Sequence, residues 1–304
     1  MSLDLIVSRL REALPALSIL ENEPMSKHTS FRIGGPVRAM VQPASIDETE
    51  AVCRVLREAG VQPLVIGNGT NLLVTDRPLD RIVLQFGERF AAFEDLGENR
   101  IRAQAGITLA RFAGEAQRLG LAGLEFAHGI PGSLGGGVSM DAGAYGGELK
   151  DVVTETRYLN EALELCTAVG EEHDFRYRHS AFSDTDRIIL DSTVTLTPDD
   201  PAAILERMMV LRARRSASQP LDMPSAGSTF KRPVGGYAAA LIDQAGLKGF
   251  GIGGAQVSEK HGGFVINRGG ATFDDVLRLI EHIREEVFKM SGITLETEVK
   301  IIRE

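Results

Sequence analysis

The chain has 304 residues, 43% of them hydrophobic, and a formal net charge of −9 at pH 7. At about 100 to 200 residues per domain, this length predicts two or three domains with sizeable buried cores. The acidic balance disfavours nucleic acid as a partner, because proteins that bind it carry clustered positive charge. The two cysteines, Cys53 and Cys166, lie far apart in the chain. We therefore expect neither a disulfide framework nor a zinc site. Two cysteines without a pairing pattern are typical of a protein in a reducing compartment.

The N-terminal segment does not resemble a secretory signal, because Asp4, Arg9, Arg11 and Glu12 fall where an apolar run is needed. No stretch approaches the roughly 18 to 20 apolar residues of a membrane span. The sequence therefore favours a cytoplasmic protein with no membrane association, either an enzyme or a binding protein.

Helix and strand signals alternate in the first 80 residues. After an N-terminal amphipathic helix, the pattern predicts a strand at 37–41 and a helix that begins at Ser45 and ends at Gly60. Two short buried strands, at 64–66 and 72–74, are separated by a glycine turn. This order is typical of an α/β unit.

The middle of the chain favours short strands with mostly antiparallel pairing. The predicted elements are strands at 81–86, 91–94 and 101–105, a helix from Thr108 to Gly120, a glycine-dense loop, and strands at 152–159, 163–169 and 188–196.

The last third predicts a smaller α/β lobe. Its elements are a helix from Pro201 to about Arg215, a loop at 225–230, a short helix at 238–244, a strand at 264–267, a helix from Thr272 to Gly292, and a final strand at 293–302. We expect an α+β protein with domains at 1–80, 81–200 and 201–298, whose final strand, about 299–304, can return to the first domain.

Two glycine-rich loops are candidate ligand sites. One is G-N-G-T-N at 67–71, and the other is G-I-P-G-S-L-G-G-G at 129–137. Glycines let successive backbone N–H groups turn towards one anion without interference from a Cβ atom. Our interpretation is that the two loops bind a diphosphate from opposite sides. Neither loop has the P-loop or the Rossmann pattern, so those two kinds of site are not supported. The alternative, above all for the first loop, is an ordinary tight turn.

Seven segments in one order resemble the UDP-N-acetylenolpyruvoylglucosamine reductase family, and together they span nearly the whole chain. They are T-S-F-R-I-G-G-P at 29–36, the two glycine loops, Y-R-H-S at 177–180, S-A-G-S-T-F-K at 225–231, A-G-L-K-G at 245–249 and L-E-T-E-V at 295–299. The short connection between Tyr177 and Ser228 resembles the compact type II subclass, which lacks an added loop that closes over substrate.

The resemblance implies a two-domain FAD-binding fold of the vanillyl-alcohol-oxidase type, followed by a smaller C-terminal α/β domain that binds substrate. It also implies non-covalent FAD, with its diphosphate between the two glycine loops, and NADPH as the hydride donor. The residues that it assigns to the cofactor are Gly67, Asn68, Gly69, Thr70, Asn71, Leu72, Ile130, Pro131, Gly132, Ser133, Gly135 and Gly136.

The activity that the resemblance implies is reduction of UDP-N-acetylglucosamine enolpyruvate to UDP-N-acetylmuramate, a step of peptidoglycan synthesis that serves cell wall biogenesis, cell shape and cell division. Hydride comes from the reduced flavin and a proton from Ser228, while Arg178 and Glu298 stabilise the enolate. A guanidinium suits this task because it can hold a carboxylate bidentately. The alternatives are a structural ion pair for Arg178, a turn-capping role for Ser228 and a solvated strand face for Glu298.

The candidate contacts of the nucleotide sugar are Tyr177, Lys248, Gln256 and His261. A lysine just after a helix end, such as Lys248, is also common for structural reasons. We expect no metal site, since the histidines show no ligand spacing. We also expect a monomer.

Two rival functions compete with this interpretation. One is a flavin oxidoreductase of the same fold with another substrate, because a fold does not determine a substrate. The other is a non-catalytic nucleotide-binding protein that has kept the loops. The chain also departs from the family pattern at Asp141 and Arg232, where asparagine is common, and at His128 before the second loop.

Overall fold

Seven α-helices form within residues 2–304, which are the residues that this computed structural model describes. They are α1 (Leu3–Ala13), α2 (Ile46–Glu58), α3 (Leu109–Arg118), α4 (Leu134–Ser139), α5 (Pro201–Ser218), α6 (Ala238–Gln244) and α7 (Phe273–Ser291). None of these helices is long and apolar enough to cross a membrane.

Nineteen short strands accompany the helices in the same described residues. They are β1 (Ser18–Pro24), β2 (Pro36–Gln42), β3 (Leu64–Ile66), β4 (Leu72–Val74), β5 (Leu79–Gln85), β6 (Phe93–Gly97), β7 (Arg100–Gln104), β8 (Leu121–Ala122), β9 (Gly143–Ala144), β10 (Gly147–Glu148), β11 (Val153–Leu159), β12 (Leu165–Val169), β13 (Ile188–Thr195), β14 (Thr197–Pro198), β15 (Ser225–Ser228), β16 (Gly251–Ile252), β17 (Ala255–Val257), β18 (Phe264–Asn267) and β19 (Lys300–Ile302).

Side-chain caps begin the helices where the sequence predicted them. The Ser45 hydroxyl accepts from the N–H of Glu48 at the start of α2, and Thr108 caps α3 in the same way. Thr272 begins α7 with a reciprocal capping box, and Gly292 ends that helix with a φ of 70°. These local signals act over a few residues, so the sequence alone reveals them.

The chain divides into two compact units. Unit 1 contains the residues up to Glu21, Ala39–Asn68 and Arg81–Arg214, and unit 2 contains Asn22–Arg38, Gly69–Asp80 and Arg215–Glu304. Each unit has its own cluster of buried hydrophobic side chains. This division is not the one drawn from the sequence, whose boundaries after residues 80, 200 and 298 stay a prediction.

Unit 1 is built on a five-stranded antiparallel sheet of order β12-β11-β13-β7-β6. Helix α4 packs against β13 and α3. Leu134 of α4, Phe112 of α3 and Leu190 of β13 are fully buried in one cluster. The helix of the second glycine loop is thereby held against the central sheet.

Unit 2 is built on a four-stranded sheet of order β15-β18-β17-β16 and on the long helix α7. That helix buries Val276, Ile283 and Val287 in the core of the unit. The last strand, β19, pairs in parallel with β4, with Lys300 opposite Leu72. The end of the chain is thus tied to the strand that leaves the first glycine loop.

Three predicted segments take another form. Part of the predicted second glycine loop is helix α4, and part of the predicted loop at 225–230 is strand β15, which pairs with β18. The predicted strand at 293–302 shortens to β19, because only its last residues reach β4. All three differences arise from partners far away in the sequence.

Candidate active site

The first glycine loop needs its glycines because backbone and side-chain atoms approach closely. In unit 2, Gly69 has a φ of 60°, and a Cβ atom there would lie 1.9 Å from the carbonyl oxygen of His28. In unit 1, a Cβ on Gly67 would lie 2.0 Å from the hydroxyl of Ser133. The Gly67 contact also brings the start of the first loop against the second loop.

The second glycine loop uses some of its backbone donors internally. The N–H of Leu134 donates to the carbonyl of Ile107 at 2.8 Å, and that of Gly135 donates to Ala105 at 2.9 Å. The N–H groups of Ser133 and Gly136 have no hydrogen-bond partner among residues 2–304. The donors that remain for an anion are therefore fewer than the glycine pattern predicts.

Glycine density in this loop has two causes. A Cβ on Gly135 would lie 2.8 Å from the Cβ of Ala105, and one on Gly137 would lie 2.9 Å from a methyl group of Leu149. These glycines let α4 pack closely against the protein itself. Gly136 has open space, since the nearest atom to its Cβ position is 3.7 Å away. Within α4, Gly136 is the glycine that close packing does not account for, and its role at a ligand stays a prediction.

The two loops share backbone donors that have no partner in the described part of the chain. Gly67 and Asn68, like Ser133 and Gly136, keep backbone N–H groups without a partner in the described part of the chain. Backbone donors without a partner suit an anion, because each N–H adds a partial positive charge. Ser133 is 2% exposed, so its hydroxyl is held in a largely dry setting. This arrangement could hold the diphosphate of a dinucleotide.

Arg178 sits at the tip of a tight turn in unit 1. The N–H of Arg176 donates to the carbonyl of His179 at 3.1 Å, and the N–H of His179 donates back at 2.8 Å. Arg178 has a φ of 56°, a left-handed conformation that is costly for a side chain with a Cβ atom. Its guanidinium lies over the ring of Tyr177, 5.2 Å from the centroid. The turn therefore holds both predicted substrate residues in a strained but defined geometry.

Two serines that the sequence analysis passed over tie this turn to α4. Ser180 is fully buried, and its hydroxyl donates to the carbonyl of Ser139 at 2.9 Å. The hydroxyl of Ser183 donates to the same carbonyl. Since Ser139 is the last residue of α4, the Arg178 turn and the second glycine loop share one support. Ser180 lay in the Y-R-H-S segment, which was the available signal.

Ser228 and Glu298 are brought together in unit 2 by main-chain pairing. The N–H of Glu298 donates to the carbonyl of Thr229 at 2.9 Å, and the N–H of Lys231 donates to the carbonyl of Glu296 at 2.9 Å. The Glu296 side chain is 75% exposed, whereas Glu298 is half-buried. The solvated-face interpretation thus describes Glu296 better than Glu298.

The first glycine loop reaches the same region of unit 2. The side-chain amide of Asn71 donates to the carbonyl of Glu298 at 3.0 Å. Ser30 contributes a further link, because its hydroxyl donates to the carbonyl of Ser225 at 2.6 Å and also lies 3.3 Å from that of Thr70. Ser30 belongs to the T-S-F-R-I-G-G-P segment, to which the sequence analysis gave no role.

The other predicted substrate residues lie in unit 2 with partners of their own. The ammonium of Lys248 is 3.0 Å from the carboxylate of Asp243, and the amide of Gln256 donates to the carbonyl of Gly249 at 2.7 Å. The Nδ1 atom of His261 accepts from a backbone N–H, so Nε2 carries the proton in the neutral ring. Burial, and next the charge of Lys248, lowers the pKa of His261.

The departures from the family pattern occupy unusual environments. Asp141 is 1% exposed, its Oδ1 accepts from the N–H of Lys150 at 2.9 Å, and its Oδ2 has no partner within residues 2–304. Burial raises the pKa of this carboxyl group. His128 has a buried Nδ1 without a partner in the same residues, and burial lowers its pKa. The guanidinium of Arg232 lies 4.6 Å from the ring centroid of Tyr237.

No group of three or more histidine, cysteine, aspartate or glutamate side chains in the described chain could hold a metal ion. The Cys53 thiol is 4% exposed, and burial raises its pKa to about 12. A thiol with that pKa stays protonated at pH 7, which disfavours a nucleophilic role.

Two family models match the chain. One, described as an FAD binding domain, covers residues 37–168. The other, described as the C-terminal domain of UDP-N-acetylenolpyruvoylglucosamine reductase, covers residues 219–302. The predicted fold class, an FAD-binding fold followed by a C-terminal substrate domain, is confirmed.

Full-length relatives carry the same name. The UDP-N-acetylenolpyruvoylglucosamine reductase of Caldanaerobacter subterraneus subsp. tengcongensis is 44% identical over 302 residues, which is 99% of each chain. That of Levilactobacillus brevis is 43% identical over 300 residues, covering 99% of this chain and 98% of the relative. The crystal structure of the Thermus caldophilus enzyme is 31% identical, with a TM-score of 0.80 over 94% of this chain and 98% of that one.

Proposed function

The chain belongs to the UDP-N-acetylenolpyruvoylglucosamine reductase family, and we propose that it reduces UDP-N-acetylglucosamine enolpyruvate to UDP-N-acetylmuramate with bound FAD and NADPH. The observation that carries this proposal is likeness over 99% of the chain to a relative of that name. The intact Arg178, Ser228 and Glu298 support it, because a protein that only binds nucleotides has no need of them.

Residues of both glycine loops would hold the FAD. Ser133, Gly136, Gly67 and Asn68 offer backbone donors to its diphosphate. The other residues proposed for the cofactor are Gly69, Thr70, Asn71, Leu72, Ile130, Pro131, Gly132 and Gly135. When bound, the flavin supplies the hydride chemistry, and the protein supplies orientation, electrostatics and the proton.

Arg178 would hold the carboxylate of the enolpyruvyl group. A guanidinium offers two parallel N–H donors and stays charged at any working pH. The left-handed φ of 56° at this residue is the kind of strain that clusters at functional sites. Charge that develops next to the carboxylate would meet a cation already in position, which is worth several kcal/mol in a dry site.

Ser228 would give its Oγ proton to the substrate carbon, and Glu298 would stabilise the enol. A serine hydroxyl is a very weak acid, so it needs neighbouring groups to act. The pairing of the residues after Ser228 with the segment at 296–298 puts the backbone of Glu298 beside Thr229, the residue next to Ser228, which supports this assignment. Tyr177, Lys248, Gln256 and His261 are proposed contacts of the nucleotide sugar.

The cellular setting follows from this reaction. We infer a cytoplasmic monomer that serves peptidoglycan synthesis, since a nucleotide-linked sugar is made and consumed in the cytoplasm. Sedimentation of the purified protein tests the monomer, and a mass near twice 32.8 kDa would reject it.

A two-step absorption experiment tests the function. The purified protein is freed of oxygen, reduced with NADPH and then mixed with UDP-N-acetylglucosamine enolpyruvate. We expect a bound-flavin band that bleaches with NADPH and returns with the enolpyruvyl substrate. Bleaching without return would indicate a flavin oxidoreductase with another substrate. A protein without a flavin band, even after FAD is added, would be a non-catalytic nucleotide-binding protein.

A further inference from the structure

A buried hydrogen-bond chain in unit 1 ends at His173, whose carbonyl accepts from Ala181 at the base of the segment that carries Arg178. It links Ser192 on β13, Thr156 on β11 and His173, which follows β12, and all three side chains are fully buried. The Nε2 atom of His173 is 2.9 Å from the hydroxyl of Thr156, and that hydroxyl is 3.0 Å from the hydroxyl of Ser192. The chain connects two neighbouring strands, on which Thr156 and Ser192 are directly paired.

The direction of each hydrogen bond follows from chemistry. Burial lowers the pKa of His173, so the ring is neutral at pH 7. Its Nδ1 atom is 3.0 Å from the carbonyl of Gly170, and a carbonyl only accepts, so Nδ1 carries the proton. Nε2 must then accept from the hydroxyl of Thr156. The Thr156 oxygen in turn accepts from Ser192, and every bond in the chain has one defined donor.

The backbone and ring of His173 support the turn directly. The carbonyl of His173 accepts from the N–H of Ala181 at 2.7 Å, which closes the base of the segment that carries Arg178. One ring face stacks on Phe175, with centroids 4.8 Å apart, and the edge of Phe182 packs at 6.2 Å. The imidazole is therefore fixed in its plane as well as at both nitrogens.

We propose that His173 is a positioning residue for Arg178, fixed by the hydrogen-bond chain through Thr156 to Ser192. Arg178 has a left-handed backbone, which persists only where the surroundings overdetermine it. The Arg176–His179 pair closes the tip of the segment, and His173 holds its base. This inference rests on the proposed role of Arg178 in holding the enolpyruvyl carboxylate.

The decisive variant is Thr156→Val, with Thr156→Ser as the matched control. Valine keeps the shape of threonine but removes the donor to His173, and leaves a buried ring nitrogen without a partner. Serine keeps that donor. We expect Thr156→Val to slow flavin reoxidation by the enolpyruvyl substrate between about 10-fold and 100-fold, as for a small misplacement of a catalytic group. Flavin reduction by NADPH should stay within about twofold.

Hydrogen exchange gives a readout that needs no activity. In Thr156→Val the amides at 176–181 should exchange faster than in Thr156→Ser, because their hydrogen bonds depend on the base of the segment. Equal exchange and equal reoxidation in the two variants would overturn the proposal. So would an equal slowing of both half-reactions, which indicates a general loss of structure.

Further outcomes separate this proposal from the proposed function. If the wild-type protein never reoxidises with the enolpyruvyl substrate, the function fails, and the exchange comparison alone decides the positioning role. If Thr156→Val does not fold, Ser192→Ala replaces it, since this variant keeps the bond between Thr156 and His173 and should show a smaller change of the same kind. Arg178→Lys gives the upper limit of the effect on reoxidation.

Discussion

The Arg178 turn of unit 1 and the Ser228–Glu298 pair of unit 2 both rest on backbone hydrogen bonds, but their side-chain support differs. The turn has the Arg176–His179 backbone pair at its tip and the carbonyl of His173 at its base, and the buried Ser180 hydroxyl ties it to the carbonyl of Ser139. The pair depends on the bond from the N–H of Glu298 to the carbonyl of Thr229, with one side-chain bond from Asn71 to the carbonyl of Glu298. We therefore expect substitutions of buried side chains to disturb the turn, and changes of backbone conformation to disturb the pair.

The largest expected effect tests the backbone side of this comparison. Gly69→Ala in unit 2 places a Cβ atom 1.9 Å from the carbonyl oxygen of His28, at a φ of 60°. We expect the free energy of unfolding, measured by denaturant titration, to fall by about 3 kcal/mol or more. Bound FAD should be lost as well. Gly60→Ala is the control, because it has a φ of 69° but nothing within 4 Å, and should lose about 1 kcal/mol. Equal losses would contradict the argument from close approach.

The next effect is chemical. Ser228→Ala keeps the main-chain pairing of β15 and removes the proposed proton donor. Flavin reoxidation by the enolpyruvyl substrate should slow about 1,000-fold, while flavin reduction by NADPH stays unchanged. Stopped-flow absorbance separates the two half-reactions. Ser225→Ala in the same strand is the control, and a Ser228 variant that is slow only in flavin reduction would count against proton donation.

Glu298 and Glu296 offer a sharper contrast within one segment. Glu298→Gln should slow flavin reoxidation about 100-fold, because the charge proposed to stabilise the enol is lost. Glu296→Gln should leave it within about twofold, since that side chain is 75% exposed and faces Lys231. The rate constants come from the same stopped-flow measurement. If the two variants behave alike, the carboxylate that acts is not Glu298.

The smallest effect concerns Asp141 and its pH dependence. Burial raises the pKa of this group, so the folded protein holds its proton more tightly than the unfolded chain. Its contribution to stability is present below the unfolded pKa of about 3.9 and is lost as pH rises through the folded pKa. Asp141→Asn should therefore stabilise the protein by about 1 kcal/mol at pH 8 and change little near pH 4.

Denaturant titration at both pH values checks this sign. The exposed Asp186→Asn controls for the loss of one surface charge. A variant at Asp141 that is less stable than the wild type at pH 8 would show that the carboxylate has a partner when ionised.

Local sequence signals predicted much of the fold. Caps at Ser45, Thr108 and Thr272 located the starts of helices, and the glycine after α7 located its end. The order of family segments predicted the FAD-binding fold and the C-terminal domain. The partners of β15 and the helical form of α4 were not predictable, because both depend on contacts with residues far along the chain.

The candidate site shows the same limit. The segments Y-R-H-S and L-E-T-E-V brought Arg178 and Glu298 to notice, but not the turn that strains Arg178. In the sequence, His173 was only one of the histidines without ligand spacing. Its hydrogen-bond chain joins residues that are far apart, because Thr156 lies 17 residues from His173 and Ser192 lies 36 residues from Thr156.

The sequence by itself determined the family and the fold class, and it predicted the groups proposed for the chemistry, because those depend on residue type and order. The tertiary structure decided which glycines face open space, which backbone donors are already used, and which of two neighbouring glutamates is sheltered from solvent. These properties depend on what packs against each residue, and a sequence pattern does not contain that information.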